Sequence, residues 1–520
     1  MRKDLMHPSL SNFSQEITKC TPPSLQGYLD ANAHVPLRPG AKKVMETLWD
    51  MAGNPSALHQ FGQESARRLE QAREKLADLL NVAPTNLLFT SGGTESNFLA
   101  LYGMGPHVKR FFVAQGEHDS ITHNTFPAAH FFQKSDAAVT YLPLTRHGTV
   151  DTTGLELLLK RAKGEAFLCT AAAAHHDTGV VNDLEALSQH VRAHKGYIHT
   201  DAVQALGKTP LALRAVDLAS FSSYKVGGPL GVGALYIADH TPFTPFIKGG
   251  SQERGFRPGT PALPLICGFV EAVCEALSEE AQTHLKGLGR AHREMEAFVL
   301  KNVPGARIWG QGAARVPQTT ALSMPGVDRE LQLMVFDQKG YGVSAGSACR
   351  AGLREASPLL SALKNQNMAE EEDVQGTLRV SSGWHTAPET LAHFGKAWVE
   401  TAHSLNPSSR ALKASPSLTA SHSLSPSSCS LKAPHSLAPP AVSSSQALNA
   451  STPSSLHPSA HTSAPGASAQ EKQREAAHQL KNLNSTTGSY SWRAPERARI
   501  PDFLSTTHNT FDDTKKDTPL

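Results

Sequence analysis

The 520-residue chain has almost no excess of charge: 49 lysines and arginines face 46 acidic residues, for a net charge of +3. That balance argues against a protein that binds nucleic acid or another polyanion directly. Paired cysteines are also missing. Cys20, Cys169, Cys267, Cys274, Cys349 and Cys429 show no CxxC spacing and no disulfide framework, which fits free thiols in a reducing compartment. No apolar run approaches the ~18 residues of a membrane helix. Met1 to Lys19 lacks the apolar stretch of a secretory signal. A soluble, cytoplasmic protein with no membrane partner is expected. Hydrophobic residues make up only 39%, low for a wholly globular chain, so part of the chain is expected not to fold.

The shortfall is localised. From about Asn406 to Gln470, Ser, Ala, Pro, His and Leu dominate, with few aromatics and few charges. Ala411-Leu412-Lys413-Ala414 recurs loosely as Ser430-Leu431-Lys432-Ala433, which looks like slipped low-complexity sequence. Such a segment cannot bury enough apolar surface to offset its ordering entropy. Residues 406–520 are therefore read as a disordered tail, in which Glu471 to Asn482 can form one charged helix. The tail histidines have no regular spacing, and no metal site is expected. Residues 1–27, polar and carrying Pro22-Pro23, read as a weakly ordered arm.

Between these ends, strands alternate with helices. Gln63 to Leu80 repeats apolar residues at helical spacing. Leu87-Leu88-Phe89-Thr90 reads as a short buried strand. It runs into Ser91-Gly92-Gly93-Thr94-Glu95-Ser96-Asn97, with a helix from Phe98. Strand, glycine turn and helix start make an anion-binding geometry: backbone N–H groups and the helix dipole converge, and Thr94 adds a hydroxyl. Further strands are expected at Phe111 to Ala114, Ala166 to Thr170 and Tyr197 to Thr200, with a helix over Asp183 to His194. The alternation implies an α/β fold with a mostly parallel sheet, whose ligands bind at the carboxyl ends of the strands. Thr94, His118, His176, Asp201 and Lys225 fall at those ends. Leu263 to Leu277 and Leu331 to Lys339 read as helices, with Cys267 and Cys274 as core residues of the first. Leu378 to Ser381 reads as a strand, and Thr386 to Glu389 has a capping-box pattern before a last helix.

Ser220-Phe221-Ser222-Ser223-Tyr224-Lys225 places a single lysine before a glycine run, and the preceding strand ends in Asp201-Ala202-Val203-Gln204. Alone, Lys225 reads more readily as a surface lysine in a glycine turn. With an acid at the end of the neighbouring strand it suits pyridoxal phosphate (PLP). The amine makes the Schiff base, and a carboxylate keeps the pyridine nitrogen protonated.

These pieces, in this order, resemble the cysteine desulfurases, fold-type I, class V PLP enzymes. The matching stretches run from Tyr28-Leu29-Asp30 through Gly53 to His59, Phe89 to Asn97, Glu117-His118, Asp201 to Lys208 and Gly249 to Thr260. They continue to Gly346-Ser347-Ala348-Cys349 and Leu378-Arg379-Val380-Ser381. The resemblance implies a large, seven-stranded-type domain over about 41–262. A smaller α+β domain would come from about 28–40 plus 263–405. It implies that Lys225 holds PLP, Asp201 pairs with the pyridine nitrogen, Gln204 meets the ring oxygen and His118 stacks on the ring and helps move protons. Thr94, with Gly93, and Ser222 would hold the phosphate, and Thr260 would reach it from the partner subunit of a homodimer. Arg379 would clamp the carboxylate of L-cysteine, with Asn32 beside it. Cys349 would take the substrate sulfur as a persulfide, leaving L-alanine, and pass it to an acceptor protein. An iron–sulfur scaffold or a tRNA-thiolation enzyme are such acceptors.

Some positions depart from the family pattern. His175-His176-Asp177 stands where Asn-Asn-Glu is usual, so His176 takes a cofactor-contacting place. Tyr224 replaces a phosphate-binding His, with a hydroxyl able to substitute. His34 replaces a Thr, and Gly227 and Leu230 replace an aromatic and a Lys. A class V aminotransferase, a selenocysteine or cystine lyase, and a scaffold without catalysis share much of this machinery. Cys349 distinguishes the aminotransferase, which has no use for a loop thiol. Lys225 and Cys349 together argue against the scaffold, while His34, His176 and Tyr224 argue for it.

Overall fold

The computed structural model describes residues 24–134, 138–161, 164–346 and 357–406. Most of the N-terminal arm, the tail from residue 407 with its expected helix, and Cys349 with Arg350 lie outside the described residues.

The chain enters through helix α1 (Pro39–Leu48) and α2 (Gln60–Leu80). Helix α2 forms where the apolar periodicity predicts it and buries Leu69, Ala72, Leu76 and Ala77. His59 caps its start by accepting from the Gly62 N–H at 3.2 Å, and Asn81 ends it in the left-handed region at φ 55°. Strand β1 (Leu87–Thr90) then leads into α3 (Gly93–Met104). This helix starts five residues before the expected Phe98, because Gly92 turns the chain at φ 154° and the polar run from Gly93 to Asn97 supplies its first turn.

Strands β2 (Arg110–Ala114), β3 (Val139–Leu142), β4 (Phe167–Thr170), β5 (Tyr197–Asp201), β6 (Leu218–Ser222) and β7 (Gly233–Ile237) complete one sheet in the order β1-β7-β6-β5-β4-β2-β3. Every pair from β6 to β3 is parallel; β7 runs antiparallel to β6 and β1. The central strands are buried along their length, which is why they read as continuous apolar runs. Successive side chains serve opposite faces. Phe111 and Leu168 pack into the core under α3 and α4 (Asp119–Phe131), whereas Phe112 and Cys169 join Leu76 of α2 and Leu187 on the other face. Helices α5 (Thr152–Arg161) and α6 (Leu184–Ala193) belong to that second layer, as does α7 (Leu263–Leu277).

The remaining residues build a three-stranded antiparallel sheet, β8 (Arg307–Ile308), β9 (Thr319–Ser323) and β10 (Thr377–Ser381). It is covered by α8 (Glu279–Asn302) and α12 (Pro388–Leu405), with α9 (Arg329–Gln338), α10 (Pro358–Asn365) and α11 (Glu371–Gln375) around it. Trp398, Phe394, Phe336 and Met295 form its core. Tyr28 and Asp30 join it by bridges to Gly342 and Ser381, so the start of the described chain is built into the C-terminal sheet.

Two local expectations change, and one helix was not expected. Thr386 does not cap the last helix. Its hydroxyl accepts from the Gly383 N–H at 3.0 Å, and Ala387 precedes Pro388 at the first helical position. Cys267 and Cys274 are half-buried: Cys267 packs against the edge of the core, and Cys274 does not join it. The 24-residue α8 had no counterpart in the sequence reading, because its apolar face is interrupted by charged and glycine residues; Ser278 caps it through the Ala281 N–H at 3.2 Å.

One buried ion pair fixes a glycine-rich loop to the large sheet. The Arg73 guanidinium donates to both Glu253 carboxylate oxygens at 2.8 and 2.6 Å, and Glu253 also accepts from the Phe89 N–H at 2.8 Å. Each side chain is 2% exposed. Glu253 and Arg254 adopt the left-handed backbone, at φ 47° and 57°, in the loop that continues to Thr260.

Candidate active site

A pocket of about 260 Å³ opens where the carboxyl ends of β4, β5 and β6 meet the start of α3. Lys225, Asp201, Gln204, Gly93, Thr94, Ser222, Tyr224, His118, His176, Asn32 and Arg379 all line it. Thr260 is exposed and does not line this pocket, and Cys349 lies outside the described residues.

Lys225 sits in a short turn directly after β6. Its amine donates to the Asn32 carbonyl at 2.6 Å and the Ala33 carbonyl at 2.9 Å, and lies 4.6 Å from the centre of the Tyr224 ring. Asp201, the last residue of β5, accepts from the Val203 N–H at 3.0 Å and from Asn97 at 2.8 Å. Gln204 donates to the Asn32 carbonyl at 2.9 Å. The pocket floor is therefore fixed by the chain's own hydrogen bonds.

The phosphate end passes a separate test. The Ser222 hydroxyl is buried and has no hydrogen-bond partner, an arrangement that costs free energy unless a ligand completes it. Beside it, a Cβ on Gly93 would stand 2.8 Å from Val203 Cγ2, so only glycine fits. The N–H groups of the first turn of α3 open into the same space. Glu95 in that turn is held by Arg257 at 2.9 Å, so its charge is offset beside an anion site. Arg257 keeps the Glu95 carboxyl below its ordinary range even though burial opposes that shift. These residues fit PLP: an amine, a carboxylate, and an anion cradle with an unsatisfied hydroxyl.

The substrate end is built on Arg379 of β10. Its guanidinium donates to Asp30 at 2.7 Å, to Asp177 at 3.5 Å and to the His176 carbonyl at 3.2 Å, while its Nε is buried without a partner. Asn32 is spent on the same cluster. Its side-chain amide donates to the His176 carbonyl at 3.1 Å and to Thr319 at 3.0 Å.

His176 stacks on His175, with centroids 4.4 Å apart, and meets His118 edge-on at 5.5 Å. Burial holds His176 well below the usual imidazole range. Burial also works against the Asp177 carboxylate, but His176, His175, Arg379 and the Ser357 hydroxyl hold it down to about 2. His175, His176 and Asp177 lie close enough together to suggest a metal site. Their atoms are already used: His175 Nε2 bonds the Gly116 carbonyl at 2.7 Å, His175 Nδ1 accepts from the Asp177 N–H at 3.2 Å, and Ser357 donates to Asp177 at 2.5 Å.

Several site residues carried no role in the sequence reading. Asn97 and Ser120 tie Asp201 to His118. Glu117 is buried, accepts from the Ala172 N–H at 2.6 Å through one oxygen and leaves the other unpartnered. Burial, with the neighbouring Asp201 charge, pushes its carboxyl up to about 8 against the opposing Ala172 hydrogen bond. Asp30 and Asp177 are the counterions of Arg379. The available signal was their position inside the motifs already noted, immediately beside His118 and His176 or at the end of Tyr28-Leu29-Asp30.

Comparison with known proteins agrees with this geometry. Residues 28–394 match the family model "Aminotransferase class-V". The cysteine desulfurase IscS of Dictyoglomus turgidum is 34% identical over 371 residues, covering 70% of this chain and 91% of its own. Among solved structures, a NifS-like protein superposes with a TM-score of 0.65 at 28% identity, over 72% of this chain and 99% of its own. SspA in complex with cysteine gives a TM-score of 0.59 at 27% identity, over 70% of this chain and 100% of its own.

Proposed function

We propose, from the premise that this chain belongs to the class V aminotransferase family and is a PLP-dependent cysteine desulfurase, an assignment of its reaction to individual residues. Lys225 holds PLP, Asp201 faces the pyridine nitrogen, Gln204 the ring oxygen, and His118 stacks on the ring. Thr94, Gly93, Ser222 and Tyr224 hold the phosphate. The observation that carries this assignment is the convergence of Lys225, Asp201 and the unpartnered Ser222 hydroxyl on one pocket.

Bound PLP supplies the electron sink that stabilises negative charge at the substrate's α-carbon. The chain's residues supply the rest. Arg379 binds the carboxylate of L-cysteine through its unpartnered Nε, oriented by Asp30 and Asp177. His176, neutral in its buried position, closes the wall beside His118 without adding a charge. His118 is held by Ser120, whose N–H and hydroxyl lie 3.1 and 2.8 Å from Nδ1, and moves the substrate proton. Cys349, as a thiolate, accepts the substrate sulfur and passes it to a sulfur-acceptor protein such as an iron–sulfur scaffold or a tRNA-thiolation enzyme.

The same proposal includes a homodimer in which the partner's copy of residue 260 completes the phosphate site. Two observations support it. Thr260 is exposed and away from its own pocket, and Leu58, just before α2, and Phe61, in its first turn, are 90% and 65% exposed. The division into an arm over 1–27, a catalytic region over 28–405 and a tail over 406–520, and a cytoplasmic location, also belong to the proposal. Among the described residues no helix is long and apolar enough to cross a membrane.

The test is release of L-alanine from L-cysteine with added PLP and a thiol reductant. Loss of alanine in both Lys225→Ala and Cys349→Ser, with Cys349→Ser still yellow, supports the assignment. Alanine that persists in Cys349→Ser sinks the nucleophile assignment. Light scattering of the full chain tests the dimer.

A further inference from the structure

Behind the pocket lies a second cavity, of about 60 Å³, and Lys225 lines both. The second cavity is walled mainly by apolar side chains such as Val35, Leu285 and Leu288, yet it holds buried polar atoms with no partner. Gln318 lines it with both amide atoms buried and unpartnered, and His284 lines it with an unpartnered, buried Nε2. Lys208 projects there as well. Its amine donates to the Gln204 side-chain carbonyl at 2.6 Å. The Gln204 amide donates in turn to the Asn32 carbonyl at 2.9 Å, and that same oxygen accepts from the Lys225 amine at 2.6 Å. An unbroken hydrogen-bonded chain thus joins the two lysine amines.

We propose that Lys208 is a positioning residue for PLP capture: joined to Lys225 through Gln204 and the Asn32 carbonyl, it holds the Lys225 amine in its uncharged, nucleophilic form. The inference rests on Lys225 being the PLP-binding lysine. Two ammonium groups on one short chain, at the edge of a low-dielectric interior, repel each other, so a positive Lys208 disfavours a proton on Lys225. Burial, and then the Lys225 and Arg379 cations, pull the Lys208 amine down to about 7, so its charge is itself lost near that pH.

The other ionisable groups around the pair have settled partners. On the cavity side, Arg38 donates to the Val226 carbonyl at 2.9 Å, and burial lowers its proton affinity against the pull of Glu275. His284 is the remaining titratable group there. On the pocket side, Asp201 is held by Asn97, Glu95 by Arg257, and Arg379 by Asp30 and Asp177. Burial keeps His34, His176 and the Glu117 carboxyl in their neutral forms near pH 7. His118 and Tyr224 complete that wall. Lys208 is the residue that the hydrogen-bonded chain connects to Lys225 from behind.

The test titrates the absorbance of bound PLP against pH in the full-length enzyme, and the rate at which the PLP-free enzyme takes up PLP. Wild type is compared with Lys208→Met, Lys208→Gln and Lys208→Arg. A neutral residue at 208 should move both midpoints up by about one pH unit, a tenfold gain in proton affinity. Lys208→Arg, permanently charged, should move them down. Two neutral variants are included so that one misfolded protein does not remove the comparison. A midpoint that stays put, or that moves the same way in the neutral and charged variants, overturns the proposal and leaves Lys208 a packing residue. Failure of wild type to take up PLP overturns the reading of Lys225 itself, and this proposal with it.

Discussion

Asp201 and His118 are joined through two intervening side chains. Asn97 donates to Asp201 Oδ2 at 2.8 Å and to the Ser120 hydroxyl at 2.9 Å, and that hydroxyl lies 2.8 Å from His118 Nδ1. The residue proposed to face the pyridine nitrogen and the residue proposed to stack on the ring are thus set by one network. Asn97→Ala removes a charge-assisted hydrogen bond, about 1.5–3 kcal/mol. PLP retention should weaken about tenfold or more, measured by fluorescence titration of the PLP-free enzyme. Ser120→Ala, which leaves Asp201 its Asn97 bond, should weaken PLP binding less and slow turnover more. Equal effects from both would argue against this division of roles.

Arg379 is predicted to govern substrate affinity without touching the cofactor. Its planar fork already serves Asp30 and Asp177, and a lysine cannot reproduce that geometry together with a third contact. In Arg379→Lys the KM for L-cysteine should rise about 10- to 100-fold, the equivalent of a lost charge-assisted bond. The absorbance of bound PLP should stay as in wild type. A changed PLP spectrum with unchanged KM would place Arg379 against the cofactor instead.

The pH dependence of stability should carry the mark of Glu117. Its carboxyl is raised to about 8 in the folded chain, from an ordinary 4.5. Between those values the folded state binds a proton that the unfolded state has lost, so this group lowers stability as pH rises from about 4.5 to 8. Glu117→Gln keeps the acceptor for the Ala172 N–H and removes the titration. The melting temperature of the variant should gain on wild type across that window. The gain is roughly 2–4 °C for each 1 kcal/mol of burial cost relieved. Melting curves at several pH values decide it; a constant difference would show that Glu117 does not titrate there.

Much of the site was legible because strand ends and glycine turns leave local signatures. Lys225 between β6 and a glycine run, Asp201 at the end of β5 and Gly93-Thr94 at the start of α3 each announce themselves within a few residues. The partners that tune them do not. Asn97 meets Asp201 across 104 positions, Asp30 meets Arg379 across 349, and Lys208, the last residue of a matching stretch, has no role in the sequence until Gln204 is seen against the Asn32 carbonyl. Helix α8 was missed for a similar reason: its face becomes apolar only against α12 and the small sheet. Long-range pairing decides these roles; a single sequence marks such residues at most as members of a motif and does not show what they meet.

The Arg73–Glu253 pair should be structural first and functional through the loop it anchors. Glu253 holds a left-handed backbone while accepting from Arg73 and from the Phe89 N–H on β1. Glu253→Ala leaves the Arg73 guanidinium buried without its main counterion; the more exposed Glu70, at 3.1 Å, replaces it only in part. Breaking one side of a buried pair typically costs about 3–5 kcal/mol. The strained backbone at residues 253 and 254 then loses what holds it, and the loop that carries Thr260 is released. If Thr260 completes the partner's phosphate site, Glu253→Ala should lose PLP on dilution more readily than wild type, in step with dimer dissociation measured by light scattering. A variant that is less stable yet keeps its dimer and its PLP would confine Glu253 to the fold and move the phosphate site back within one chain.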